Sequence, residues 1–317
     1  MLSKRSDKEV IMKTAILFAG QGAQYVGMGK DFYEEYEECR EVYDNANVDF
    51  SLQNLCFEGP KEMLDNTAFA QSCILTTSIA ISALLKKNGI KADYVAGLSL
   101  GEYSALTYAG AINVNDAIQI VRERGKIMDN AFTGKEVMMA AVLGSDETTI
   151  KEVLEEVKSL GVVEVANYNC PGQIVISGEK AACEKAAEKL LERNARRVIP
   201  LQVSGAFHTS LLEEASVKLN KELKKYTFNK PEIPVVYNYT GAESDEDIID
   251  ILTKQIKSSV RFSQSIEYMI SQGVDTFIEV GPGKVLSGFV KKTDKNVKIY
   301  SVDTVEDYKK MLEGLGL

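Results

Sequence analysis

Hydrophobic and polar positions along the chain follow two periods. Strand-length apolar runs stand at Thr14–Ala19, Asp93–Ala96, Thr276–Val280 and Val297–Val302. Residues 68–87 instead repeat at helical spacing and stop at Asn88-Gly89, a helix-terminating pair. Residues 102–110 and 116–132 read as two more helices. Buried strands alternating with helices predict a parallel α/β sheet, because parallel neighbours need a crossover and are covered on both faces.

The pattern changes over residues 134–204. Val137–Leu143 reads as a strand, Glu147–Leu160 as an amphipathic helix, and Val163–Asn169 with Gln173–Ser177 as two strands around the turn Cys170-Pro171-Gly172. A helix over Ala181–Asn194 and a strand over Arg197–Val203 follow. The order βαββαβ is that of a ferredoxin-like unit. Residues 210–226 then read as a helix and Pro234–Tyr239 as a strand. The expected organisation is an N-terminal extension (1–12), a large α/β part (13–133 and 205–317) and an inserted ferredoxin-like part (134–204). The run Cys73–Leu85 carries Thr76, Thr77, Ser78 and Ser82, and reads as too short and too polar to span a bilayer.

Composition narrows the possible chemistry. The chain has 317 residues, 45% hydrophobic and 26% charged, which excludes disorder. A net charge of −9 gives no basic excess with which to bind nucleic acid. One histidine leaves no His-rich metal site, and five cysteines without a CxxC pair are no disulfide framework. Residues 1–13 lack the apolar core of a secretory signal. A cytoplasmic protein is expected.

Gly97-Leu98-Ser99-Leu100-Gly101 matches G-x-S-x-G between a predicted strand and a predicted helix. That turn pushes the serine hydroxyl outward beside the helix N-terminal N–H groups. A serine hydroxyl needs a base, and His208 is the only histidine. Gly20-Gln21-Gly22 follows the first strand, but Tyr25 stands where a dinucleotide fingerprint needs glycine. This loop is instead a candidate second N–H donor, from Gln21, beside that of Leu100. Nothing in the spacing distinguishes Arg124 from a solvated charge.

Four segments taken together resemble the malonyl-CoA:acyl-carrier-protein transacylase family. They are Gly20-Gln21-Gly22-Ala23-Gln24, Gly97 through Ser104, Gly205-Ala206-Phe207-His208 and Glu279-Val280-Gly281-Pro282-Gly283. The resemblance spans about residues 13–305. It implies an α/β-hydrolase-like large subdomain with a ferredoxin-like small one. It also implies malonyl transfer from coenzyme A to acyl carrier protein, no cofactor or metal, and a monomer. By position it makes Ser99 the nucleophile, His208 the base, Arg124 the carboxylate binder, and Gln21 and Leu100 the oxyanion hole. Gln71, Asn167, Phe207 and Arg261 would line the acyl and pantetheine cleft, with Phe207 set against an α-methyl group. The family pattern departs at Ala19, Leu98 and Arg261. It places a carbonyl that orients the histidine in the stretch Ser259–Phe262.

Carrier proteins of this kind are usually acidic, so a basic patch is expected. The candidates are Lys189, Arg193, Arg196, Arg197, Lys284, Lys291 and Lys292. The rival reading from the residues is a serine esterase or thioesterase sharing G-x-S-x-G. It would need an acid between Ser99 and His208, where the aspartates are Asp116, Asp129 and Asp146.

Overall fold

A computed structural model describes residues 12–317; the expected extension lies outside these but for Met12. Among the described residues nine strands form two sheets: β1 (Thr14–Phe18), β2 (Tyr94–Gly97), β3 (Val137–Leu143), β4 (Val163–Cys170), β5 (Gln173–Glu179), β6 (Arg197–Pro200), β7 (Val235–Val236), β8 (Thr276–Val280) and β9 (Lys298–Val302). The first sheet has the order β7-β2-β1-β8-β9, and every pairing in it is parallel. β1 is central, and Ala15 through Phe18 are fully buried. Burial on both faces is why β1 reads as a continuous apolar run rather than an alternating one. Each such large side chain contributes roughly 1.5–3 kcal/mol.

The helix Thr67–Lys87 is the core helix of the large part. Asn66 caps its start, its side chain accepting from the Ala68 N–H. It is longer than the apolar run suggested, and its length and composition alone would let it cross a membrane. It is buried on nearly all sides, against the helix Val114–Asn130 and the helix Glu37–Asp44. Thr77 is accommodated by bonds to the Cys73 carbonyl at 2.8 Å and to the Tyr43 hydroxyl at 2.7 Å, and Ser82 by one to the Ile79 carbonyl, whereas the buried hydroxyls of Ser72, Thr76 and Ser78 have no partner among the described residues. A helix apolar all round is a core helix when other elements cover it.

The second sheet is antiparallel, in the order β4-β5-β3-β6, with the helices Glu147–Val157 and Lys180–Glu192 packed on it. This is the ferredoxin-like order expected. A seam joins the two sheets' surroundings: Tyr168 donates to the Val260 carbonyl and Val260 to the Ala166 carbonyl, both at 2.8 Å. Three expected elements shorten. The strand at 197–203 ends at Pro200, and the strand at 234–239 keeps only Val235–Val236. The helix at 210–226 begins as the 3-10 turn Ser210–Leu212 and runs as a helix over Glu213–Leu223.

Parallel strands deliver their following loops to one edge of the sheet, where α/β folds place their ligands. Here that edge collects the loop after β1 with Gln21, the turn after β2 with Ser99, and the segment after β7 with Asn238.

Candidate active site

Ser99 sits between β2 and the helix Gly101–Tyr108 at φ 52°, the left-handed region that side chains bearing a Cβ avoid. The turn works only with small neighbours. A Cβ on Gly97 would lie 1.9 Å from the Gly101 carbonyl carbon, and one on Gly101 would lie 2.1 Å from the Phe18 carbonyl oxygen. Both glycines of the motif are therefore set by close backbone approach. His208 also has a positive φ, of 60°.

Ser99 Oγ and His208 Nε2 are 2.7 Å apart. On its other side His208 Nδ1 lies 3.0 Å from the Gln255 carbonyl oxygen. A carbonyl can only accept, so Nδ1 carries the proton and Nε2 offers its lone pair to the serine. Among the described residues no carboxylate takes the place of a triad acid. The carbonyl expected within Ser259–Phe262 comes instead from Gln255, four residues before that stretch. Burial, with Arg124 beside it, lowers His208 from its ordinary 6.5 to about 4. The imidazole is neutral at physiological pH, the form that can take a proton.

Arg124, on the helix Val114–Asn130, is fully buried rather than solvated. One terminal nitrogen donates to Gln71 Oε1 at 2.7 Å, and the other to Gln255 Oε1 at 3.1 Å and to Ser99 Oγ at 3.3 Å. Its Nε has no acceptor, and the guanidinium lies 5.3 Å from the Tyr103 ring centre. Among the described residues no carboxylate comes within ion-pair distance of it; the buried Glu102 acts on it only from further off. A buried cation without an anion costs several kcal/mol that neutral acceptors offset only in part.

A cavity of about 230 Å³ opens over Ser99. Gln21, Ser99, Asn167, Phe207 and His208 line it, together with Met128, Asn169, Gln173 and Leu286. The Gln21 and Leu100 backbone N–H groups have no acceptor among the described residues. Phe207 packs edge-on against Phe132, with ring centres 6.0 Å apart. Gln71 stands behind the cavity wall, its amide nitrogen 3.4 Å from Gln21 Oε1. Arg261 lies elsewhere, in a second groove on the far side of His208, with its guanidinium 6.0 Å from the Tyr168 ring centre. Gln255, Asn238 and Glu102 enter the site without having been singled out as side chains with roles. Gln255 sits in a helix, Ile248–Gln255, with no motif around it. Glu102 stands beside the G-x-S-x-G turn, and its place there was the one available signal.

Among the described residues no three His, Cys, Asp or Glu side chains are grouped to hold a metal ion. All five cysteines are free and buried, and burial pushes Cys39 and Cys183 up to about 12, out of the reactive range.

An elbow serine bonded to a histidine at the carboxyl edge of a parallel sheet defines the class of serine acyl-transfer enzymes. The family model described as acyl transferase domain matches residues 16–314, and the chain belongs to that family. It is 45% identical over 299 residues to the malonyl CoA-acyl carrier protein transacylase of Bacillus subtilis (strain 168), covering 93% of this chain and 94% of that protein. The crystal structure of malonyl CoA-acyl carrier protein transacylase from Clostridium perfringens superposes with a TM-score of 0.93 at 47% identity, covering 96% of this chain and 97% of that one. A type II PKS acyl-carrier protein in complex with its malonyl-transacylase gives a TM-score of 0.92 at 34% identity, over 95% of this chain and 99% of that one.

Proposed function

We propose that this chain moves the malonyl group of malonyl-CoA to the phosphopantetheine thiol of an acyl carrier protein, through a malonyl ester on Ser99. It thereby supplies malonyl-carrier for fatty acid synthesis. The observation that carries this reading is the buried, anion-free guanidinium of Arg124, 3.3 Å from Ser99 Oγ. A malonyl thioester places its free carboxylate a few bonds from the carbonyl that Ser99 attacks. Two parallel hydrogen bonds from Arg124 would hold that carboxylate and neutralise the buried charge. A neutral acyl group offers nothing to Arg124.

In the first half-reaction the Ser99 hydroxyl proton passes to His208 Nε2 as the Oγ–carbon bond forms. The tetrahedral oxyanion is held by the N–H groups of Gln21 and Leu100, each worth roughly 3–4 kcal/mol in comparable enzymes. The carbon–sulfur bond then breaks, and the CoA thiolate leaves with the proton from His208. The carrier thiol reverses these steps on the malonyl ester. Serine, imidazole and guanidinium supply every charge and proton the two steps use, so the scheme calls for no cofactor. Asn167 would contact the pantetheine arm, and Phe207 would narrow the cavity against an α-methyl group. Arg261, facing the other groove, has no part in this scheme. We take residues 13–133 with 205–317 as the catalytic part and 134–204 as the cleft-closing part, acting in the cytoplasm as a monomer.

Intact mass after mixing with malonyl-CoA tests the scheme. The expected adduct is one malonyl group, absent in Ser99→Ala and cleared by holo carrier protein. Steady hydrolysis that is indifferent to carrier protein would make the chain a thioesterase instead.

A further inference from the structure

Backbone pairing between β7 and β2 ends with Val95 opposite Val235 and Ala96 opposite Val236. Two residues further on, the Asn238 side chain takes over the ladder. Its Nδ2 donates to the Gly97 carbonyl at 2.6 Å, and its Oδ1 accepts from the Ser99 N–H at 2.6 Å. A carboxamide holds donor and acceptor in one plane, as a peptide group does, so it can serve as one more rung. This rung spans Leu98, where the strand bends into the elbow.

Asn238 is fully buried and is itself held at both ends. Its own N–H donates to Glu102 Oε2 at 2.5 Å, and its carbonyl accepts from the Arg261 N–H at 2.8 Å. Glu102 belongs to the helix that leaves the elbow and is also fully buried, with Oε1 unpartnered. The strand before Ser99, Ser99 itself and the helix after it are thus tied to one residue, the first two through its side chain and the helix through its backbone N–H. Ser99 needs such a tie, because a left-handed φ is disfavoured for any residue with a Cβ and persists only when its surroundings over-determine it.

We propose that Asn238 and Glu102 are positioning residues for acyl transfer: Asn238 clamps the peptide groups on either side of Leu98, and Glu102 locks Asn238 in register. The clamp sets the direction of Ser99 Oγ toward His208 and of the Leu100 N–H toward the developing oxyanion. The inference rests on the reading of Ser99 as nucleophile.

Single-turnover acylation by malonyl-CoA, followed by rapid quench and intact mass, separates rate from the fraction of competent enzyme. Asn238→Ala is expected to acylate to full amplitude with a rate constant lower by about 100-fold, the scale of a small misplacement of reacting groups. Half-saturation by malonyl-CoA should move by less than about threefold, since ground-state binding is untouched. Asn238→Asp keeps the shape and the acceptor for Ser99 but sets an oxygen against the Gly97 carbonyl. It should fall as far, and it decides the matter if the alanine variant does not fold. Glu102→Ala should slow acylation in the same sense, and Glu102→Gln, which keeps an acceptor for the Asn238 N–H, should recover most of that loss. Parental rate constants in both Asn238 variants overturn the proposal. So does a loss of amplitude alone, which marks a purely structural role. If the parent takes no malonyl group on Ser99, the acyl-transfer reading itself fails and the clamp falls with it.

Discussion

His208 and Arg124 share one buried space, and the guanidinium bears on the charge state of the imidazole. Desolvation and the guanidinium hold His208 near 4, so the free enzyme should keep its acylation rate down to unusually low pH. The acid limb of kcat/KM is expected near pH 4, and a limb near 6.5 would contradict this assignment. The limb of kcat should lie higher, because a malonyl carboxylate on Arg124 cancels the charge that depresses the imidazole. The same shift bears on stability. A histidine depressed in the fold binds its proton more weakly there than in the unfolded chain, so its contribution is intact above about 6.5 and is lost as pH falls toward 4. Arg124→Ala removes the one cation among the described residues that donates to the hydroxyl. Its preference for malonyl-CoA over acetyl-CoA, measured as a ratio of kcat/KM, should drop by at least about 100-fold, the scale of a lost buried charge pair.

At the scale of elements, the elbow depends on the helix Gly101–Tyr108 touching β1 closely enough that a Cβ on Gly101 would strike the Phe18 carbonyl. Gly101→Ala must therefore push the helix off the sheet and carry Ser99 with it. The expected result is a fall in both Tm and acylation, whereas Gly288→Ala, with open space around the added methyl, should leave both near parental values. This crowding explains how the sequence could reveal the elbow: G-x-S-x-G records a steric requirement in residue types. β3 and β8 were equally legible, their apolar runs matching the observed bounds, because burial along most of each strand selects apolar residues at most positions. Gln255 was not legible. It acts on His208 through a backbone carbonyl, which every residue possesses, and its side chain meets Arg124 from a helix with no motif around it, so nothing in the chain pattern marks it. Asn238 was hidden for a related reason. Its side chain substitutes for backbone at the end of β7, a strand of two residues with no periodicity of its own. The helices over residues 30–65 are short and close on one another, too brief to express a helical repeat.

For the molecule as a whole, the question is how a chain of net charge −9 receives an acidic carrier. The candidate cations divide once their partners are known. Lys189 and Arg193 pair with Glu156, Arg193 also with Glu152, and Lys284 pairs with Asp307. Among the described residues Arg196, Arg197, Lys291 and Lys292 have no such partner. Arg197 lies across from Leu143, and Leu143 across from Gln173, which lines the cavity over Ser99. Lys292 Nζ reaches Gln173 Oε1 at 3.4 Å from the other side. Lys292 therefore reaches the rim of the cavity and Arg197 lies two strands from it, on the side where a carrier would present its thiol, while net repulsion acts over the rest of the surface. Local attraction of this kind acts mainly on encounter rate and weakens with salt. Reversing Arg197 and Lys292 together to glutamate should lower kcat/KM for holo carrier protein by more than about tenfold at low ionic strength, with the gap narrowing as salt is added. Acylation of the same variant by a malonyl thioester that lacks the phosphates of coenzyme A should stay close to the parental rate, because the one charge on that donor is the malonyl carboxylate, which binds Arg124 inside the cavity rather than the patch. Equal losses with both substrates would place the effect in the active site and remove the patch from carrier docking.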